Sequence, residues 1–291
     1  MRRRITVVGA VAVTAGVALW PAAAWAARSV ATTENLSVTA GSLSVSNPTP
    51  NTITAPVGAV GTGDLPSALF SDTTGSGNGW NGTVAVSDFT YTGTWAQTAG
   101  TATALATSSS GAFTGTCDGV SYTVTVGSGG TSSSTPVSWS VSQPAASSGC
   151  TPDSPNSGSG TATNGTAFAV GNHGASITFA SGTTYPQGAV YVLDAGTMTG
   201  PLVLDTAAAG AGVTPQPGTS SPAPTLANNG VTVTGGGVGT YGTAVKMVTT
   251  ITTGVGMGSY TVVPGASLTP DNNSWVATYV ANVQYTIVTG P

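Results

Sequence analysis

Charge is almost missing from this chain. Its 291 residues carry 5 Lys+Arg, 9 Asp+Glu and one His, so that 5% is charged, where an ordinary domain has roughly a quarter. Without clustered Lys and Arg nothing can release counterions from phosphates, which excludes a nucleic-acid partner. Good helix formers are outnumbered by Gly, Thr, Val and Ser, which excludes a long helix bundle. Cysteine is limited to Cys117 and Cys150, and histidine to His173. A lone imidazole in a Gly-Asn-His-Gly turn makes a poor metal site, and no cofactor is expected. What the chain has instead is 42 Gly, 18 Pro and 40% apolar residues, with a mean hydropathy of +0.22. That apolar content argues against disorder, which needs low hydrophobicity and high net charge.

The first 26 residues read as an address. Arg2, Arg3 and Arg4 precede an apolar run over 5–20, Pro21 breaks it, and Ala24-Trp25-Ala26 offers the small-x-small site of a signal peptidase. Residues 1–26 are therefore expected to be a signal peptide. The processed chain, 27–291, is expected to be secreted, with no membrane span. Only Arg28 and Lys246 then face nine acids, a net charge of −7. In an oxidising compartment two cysteines default to a disulfide, Cys117–Cys150.

Period-2 alternation dominates the processed chain. It occurs at 36–39 (LSVT) and 43–46 (LSVS), expected to form a hairpin. It recurs at 83–89, 122–126, 137–141, 176–179, 190–193, 231–234, 246–251 and 275–288. Thr on the outward positions suits a pleated surface. Short strands between Gly, Pro and Asn turns predict an all-β chain, an antiparallel sandwich or barrel-like domain. Residues 127–135, 143–160 and 206–229 lack periodicity and read as Gly/Ser/Pro-rich loops, the longer insertions spanning 117–165 and 206–229. The one expected helical turn is 65–70 (LPSALF).

Two stretches carry a family resemblance. Residues 278–291 read TYVANVQYTIVTGP, with Tyr279, Val283, Tyr285, Ile287 and Pro291 at fixed spacing. This resembles the distal motif of the WxL domain, Y-x-x-x-L-T-W-x-L-x-x-x-P, with Tyr285 where that family has Trp. Upstream, 79–90 (GWNGTVAVSDFT) resembles the proximal motif, although Trp80 is followed by Asn81-Gly82 rather than by x-Leu. The resemblance implies a Gram-positive surface protein held non-covalently to the wall through peptidoglycan, alongside other secreted surface proteins. The chain shows no L-P-x-T-G sorting signal, hydrophobic tail or lipidation cysteine. Glycan binding calls for flat aromatic faces beside short polar side chains. Trp80, Trp275, Tyr279 and Tyr285 are the ring candidates, with Trp95 beside them and Asn81, Asn272 and Asn273 as polar neighbours. The odd positions from Trp275 to Ile287 also share one strand face, which equally describes a core face; Tyr279, Val283 and Ile287 are expected to pack, with Trp275 and Trp80 nearer the rim.

Two other functions stay open. A structural or adhesive subunit would bind proteins by strand addition. A glycan hydrolase would need two carboxylates about 5–9.5 Å apart, and Asp194 with Asp205, flanking an expected hairpin, is the pair that adjacent strands could bring together. No G-x-S-x-G nucleophile turn is present, and the chain is expected not to be an enzyme.

Overall fold

The computed structural model describes residues 41–290 apart from Asn47 and 107–110, 145–149, 199–201, 220–221 and 251–255. The expected signal peptide, residues 36–39 and Pro291 lie outside the described residues.

The chain is all-β. Strand β1 (Leu43–Val45) is followed by β2 (Gly61–Asp64), β3 (Ala68–Asp72) and the seven-residue β4 (Trp80–Val86). Two short strands, β5 (Phe89–Thr92) and β6 (Ala96–Ala99), lead to the longer β7 (Val120–Val126), β8 (Ser134–Ser142) and β9 (Ser157–Thr163). The small pair β10 (Phe168–Ala169) and β11 (Ser176–Ile177) precedes β12 (Val190–Met198). Short strands β13 (Leu202–Leu204), β14 (Gly212–Pro215), β15 (Thr225–Leu226) and β16 (Thr232–Val233) come next. They are followed by β17 (Val245–Thr249), β18 (Gly258–Val263), β19 (Gly265–Leu268) and β20 (Val283–Thr289).

Two four-stranded antiparallel sheets, ordered β1-β3-β18-β14 and β15-β17-β4-β20, face each other. Their edges meet on both sides, β1 beside β20 and β14 beside β15, giving a flattened barrel. A stack of rings fills it: Phe70 lies parallel to Trp80 at 5.4 Å between centroids, with Tyr285 and Tyr260 at 6.1 and 6.4 Å from one or the other. A third sheet, β16-β13-β19-β2, adds Leu202, Leu204, Val233 and Leu268 to the same core.

A second core lies in the stretch between β5 and β12. There β12 is flanked by β7 on one edge and by β5 and β6 on the other, and β7, β8 and β9 continue outward. Alternation places Val120, Tyr122, Val124 and Val126 of β7 inside, as a half-buried strand requires. Tyr191 and Leu193 of β12 join that core, whereas Met198, further along the same strand, belongs to the barrel core. Thus β12 crosses from one core to the other. Cys117 and Cys150 are disulfide-bonded, their Cα atoms 4.5 Å apart, at the margin of the second core.

Several sequence expectations change. Residues 65–70 form no helical turn: Ser67 bridges Thr49, and Ala68 opens β3, which pairs with β1 and β18 and turns Ala68 and Phe70 to the core. Part of the expected loop 143–160 is strand, since Ser157 starts β9. Gly158 lets the chain pass under the Trp139 ring, with which a Cβ would collide. The insertion 117–165 therefore supplies three sheet strands, and 206–229 contains β14 and β15. Asp194 and Asp205 do not flank a hairpin, because β12 pairs with β5, β6 and β7 while β13 pairs with β16 and β19. The expected strand 275–288 is confined to β20; residues 275–282 run as irregular chain with one bridge, Val280 to Thr90.

Candidate functional site

The two stretches that carry the family resemblance, 200 residues apart in sequence, lie side by side. Strand β20 pairs antiparallel with β4 throughout, Val283 opposite Val86, Tyr285 opposite Val84 and Thr289 opposite Trp80. Asn81 Nδ2 donates to Gly290 O at 2.7 Å, and its Oδ1 accepts from Thr249 Oγ1. The pairing turns the motif rings inward. Trp80 is 0% exposed, and its indole N–H donates to Gly256 O at 2.8 Å. Tyr285 is 7% exposed and donates to Pro66 O at 2.6 Å. Burial pushes the Tyr285 phenol well above the ordinary tyrosine range. Trp95 is also buried, donating to Ser176 O. As glycan platforms, Trp80, Asn81, Tyr285 and Trp95 are corrected: their faces and polar atoms are spent inside the protein. Val283 and Ile287 pack against the barrel core as expected.

The remaining candidates, Trp275 and Tyr279, line an open groove of about 940 Å³. One wall is 50–57, a stretch of irregular chain in which Pro50 and Pro56 lack an N–H. It lies close over β2 because Gly61 and Gly63 have no Cβ; one at Gly61 would collide with Thr54 and Ala55. The floor is barrel core, including Leu65, Phe89, Met198 and Leu268. The opposite wall is 274–283. Its rim is apolar: Val276 is 96% and Val280 64% exposed, with Val57 on the facing wall at 38%. Exposed valines at the mouth of a concave, largely apolar groove are what an interaction face offers.

The 274–283 wall is fastened to the second core. Ser274 Oγ donates to Asp118 Oδ2 at 2.5 Å, and Tyr279 OH donates to Asp118 Oδ1 at 2.6 Å. Trp275 N donates to the same Tyr279 oxygen, while the Trp275 indole N–H is shared between Val120 O and Ala195 O, 3.2 Å from each. Tyr279 packs its ring on Tyr91 at 5.7 Å. Burial first, then the hydrogen bond and charge of Asp118, push the Tyr279 phenol well above its ordinary value. Exposed Asn272 and Asn273 sit in the turn just before this wall.

Sequence reading did not find the 50–57 wall, Asp118 or Ser274. The spacing of Pro48, Pro50 and Pro56 was a usable signal for the first; Asp118 and Ser274 acquire a role only through contacts 156 residues apart. No group of three or more His, Cys, Asp or Glu side chains able to hold a metal occurs among the described residues. The chain matches no family model, no curated protein and no solved structure.

Proposed function

We propose that this is an exported, non-catalytic surface protein held at the cell wall without a covalent tether, and that the groove is the face by which it is held. The observation that carries this reading is the groove itself: open, largely apolar, and walled in part by Tyr279 to Val283, the first residues of the stretch that resembles the WxL distal motif. A wall offers two kinds of binding partner, its sugar polymer and the proteins seated on it. The valine, alanine and proline side chains on both walls favour the second, because an apolar protein surface gains from leaving water. Direct binding of peptidoglycan is the second reading, and the partly exposed Trp275 ring in the groove supports it.

Retention on isolated sacculi tests both. Sacculi that keep their proteins are expected to retain the processed protein, with little change at high salt because the groove holds almost no charge. Equal retention on protease-stripped sacculi would favour the sugar polymer, and no retention on either would sink both readings. The Val276→Asp/Val280→Asp double variant places two carboxylates on the rim and is expected to abolish retention. Its stability should stay within about 0.5 kcal/mol of the parent, since both side chains face water.

A further inference from the structure

The 274–282 segment belongs to no strand until Val283, yet it forms a whole wall of the groove. The backbone N–H groups of Val276, Ala277 and Thr278 donate to nothing among the described residues. Towards its C-terminal end the segment is held by Val280, which exchanges two backbone hydrogen bonds with Thr90, and by Asn282, which bonds Ser87. Towards its N-terminal end it is held by the Trp275 indole on Val120 O and Ala195 O and, through three other bonds, by one carboxylate. Both oxygens of Asp118 are used: Oδ2 accepts from Ser274, and Oδ1 accepts from Tyr279 and from the backbone of Gly119. Through the Tyr279 oxygen the same carboxylate also orders the Trp275 backbone N–H.

Asp118 is 6% exposed and is not among the residues lining the groove. Its position is itself tightly defined. A Cβ on Gly196 would collide with its carboxylate, and a Cβ on Gly119 would collide with Asn273 O, so two glycines admit the close approach. Cys117, the preceding residue, is disulfide-bonded, and its carbonyl accepts from Thr197 N at 3.0 Å.

We propose that Asp118 is a latch: a positioning residue on the second core that holds 274–282 where it walls the groove on the barrel core. The groove has its shape only while the latch is closed, and anything that binds there is linked to closure, because a ligand favouring the closed form shifts the population towards it. The latch stands on the hydrogen bonds above; its bearing on wall attachment rests on the groove being the attachment face.

Amide exchange in the full processed protein tests this without any ligand. In Asp118→Ala and in Tyr279→Phe, exchange at Trp275 is expected to rise about tenfold to a hundredfold, the range for losing a charge-assisted hydrogen bond. Exchange in β7 and β12 should be unchanged. The double variant should exchange no faster at Trp275 than Asp118→Ala alone, since both substitutions open the same latch. Unchanged exchange at Trp275, or a rise by one common factor throughout the chain, would overturn the proposal. Because Tyr279 OH is itself the acceptor of the Trp275 N–H, the fallback if Asp118→Ala does not fold is Ser274→Ala. It removes a latch contact and leaves that acceptor in place, with the same expectation and the same overturning result. Retention of these variants on sacculi is scored separately. A loosened wall with unchanged retention removes the groove as the attachment face and leaves the latch standing, whereas an unchanged Trp275 amide removes the latch whatever the retention.

Discussion

Replacing Trp80 with alanine separates the two roles that an aromatic ring can have in such a chain. Its indole is sealed between Phe70 and Tyr260, so the substitution is expected to cost about 3–5 kcal/mol of stability, the usual range for emptying a large core site. A lowered urea midpoint at unchanged slope would register it, and retention per folded molecule should not change. The even–odd reading of 275–288 worked where a ladder exists. In β20, Val283, Tyr285 and Ile287 turn inward while Gln284, Thr286 and Val288 face water. It failed over 275–282. Trp275 and Tyr279 are positioned by acceptors 155 and 161 residues away in sequence, and strand periodicity carries no record of such partners.

Among the strands, β7 was legible because its apolar residues recur at every second position and all face one core. β9 was not, because SGSGTAT offers one buried side chain, Ala162, and owes its place to the β8 ladder and to the passage of Gly158 beneath Trp139. β3 was misread because Pro66 and Ala68 look permissive for a turn when the pairing with β1 and β18 is out of view. The disulfide was legible from the count of two cysteines and the expected compartment. Its removal in Cys117→Ser/Cys150→Ser should lower stability by about 3–4 kcal/mol, the chain-entropy value for a 33-residue separation. Thermal melts of the oxidised parent and the variant would give the difference, and equal melting temperatures would contradict it.

At alkaline pH the molecule's stability should depend on its buried tyrosines. Burial raises the Tyr191 phenol to about 12, with the neighbouring Tyr185 adding to the effect. Tyr122, buried and hydrogen-bonded to Asp153, together with Tyr279 and Tyr285, is pushed higher still. A phenol whose folded value exceeds its unfolded value of about 10 favours folding fully below that pH, and its contribution fades as the solution is raised towards the folded value. Unfolding free energy should therefore show no tyrosine-linked change up to about pH 9 and decline steeply above pH 10. Tyr122→Phe, which removes one such phenol, should soften that decline. A urea series at stepped alkaline pH would decide, and a flat profile to pH 12 would refute the assignment.

The pairing of β4 with β20 also bears on how the protein is made. Asn81 meets Gly290 across 209 residues, so the side of the barrel that covers Trp80 and Phe70 stays open until β20 has been synthesised. Contacts of that span form slowly, because the loop must close before the rings can bury. On an emerging chain the second core, whose residues all precede 196, is complete before the barrel, which sets into its final shape only once its closing strand arrives.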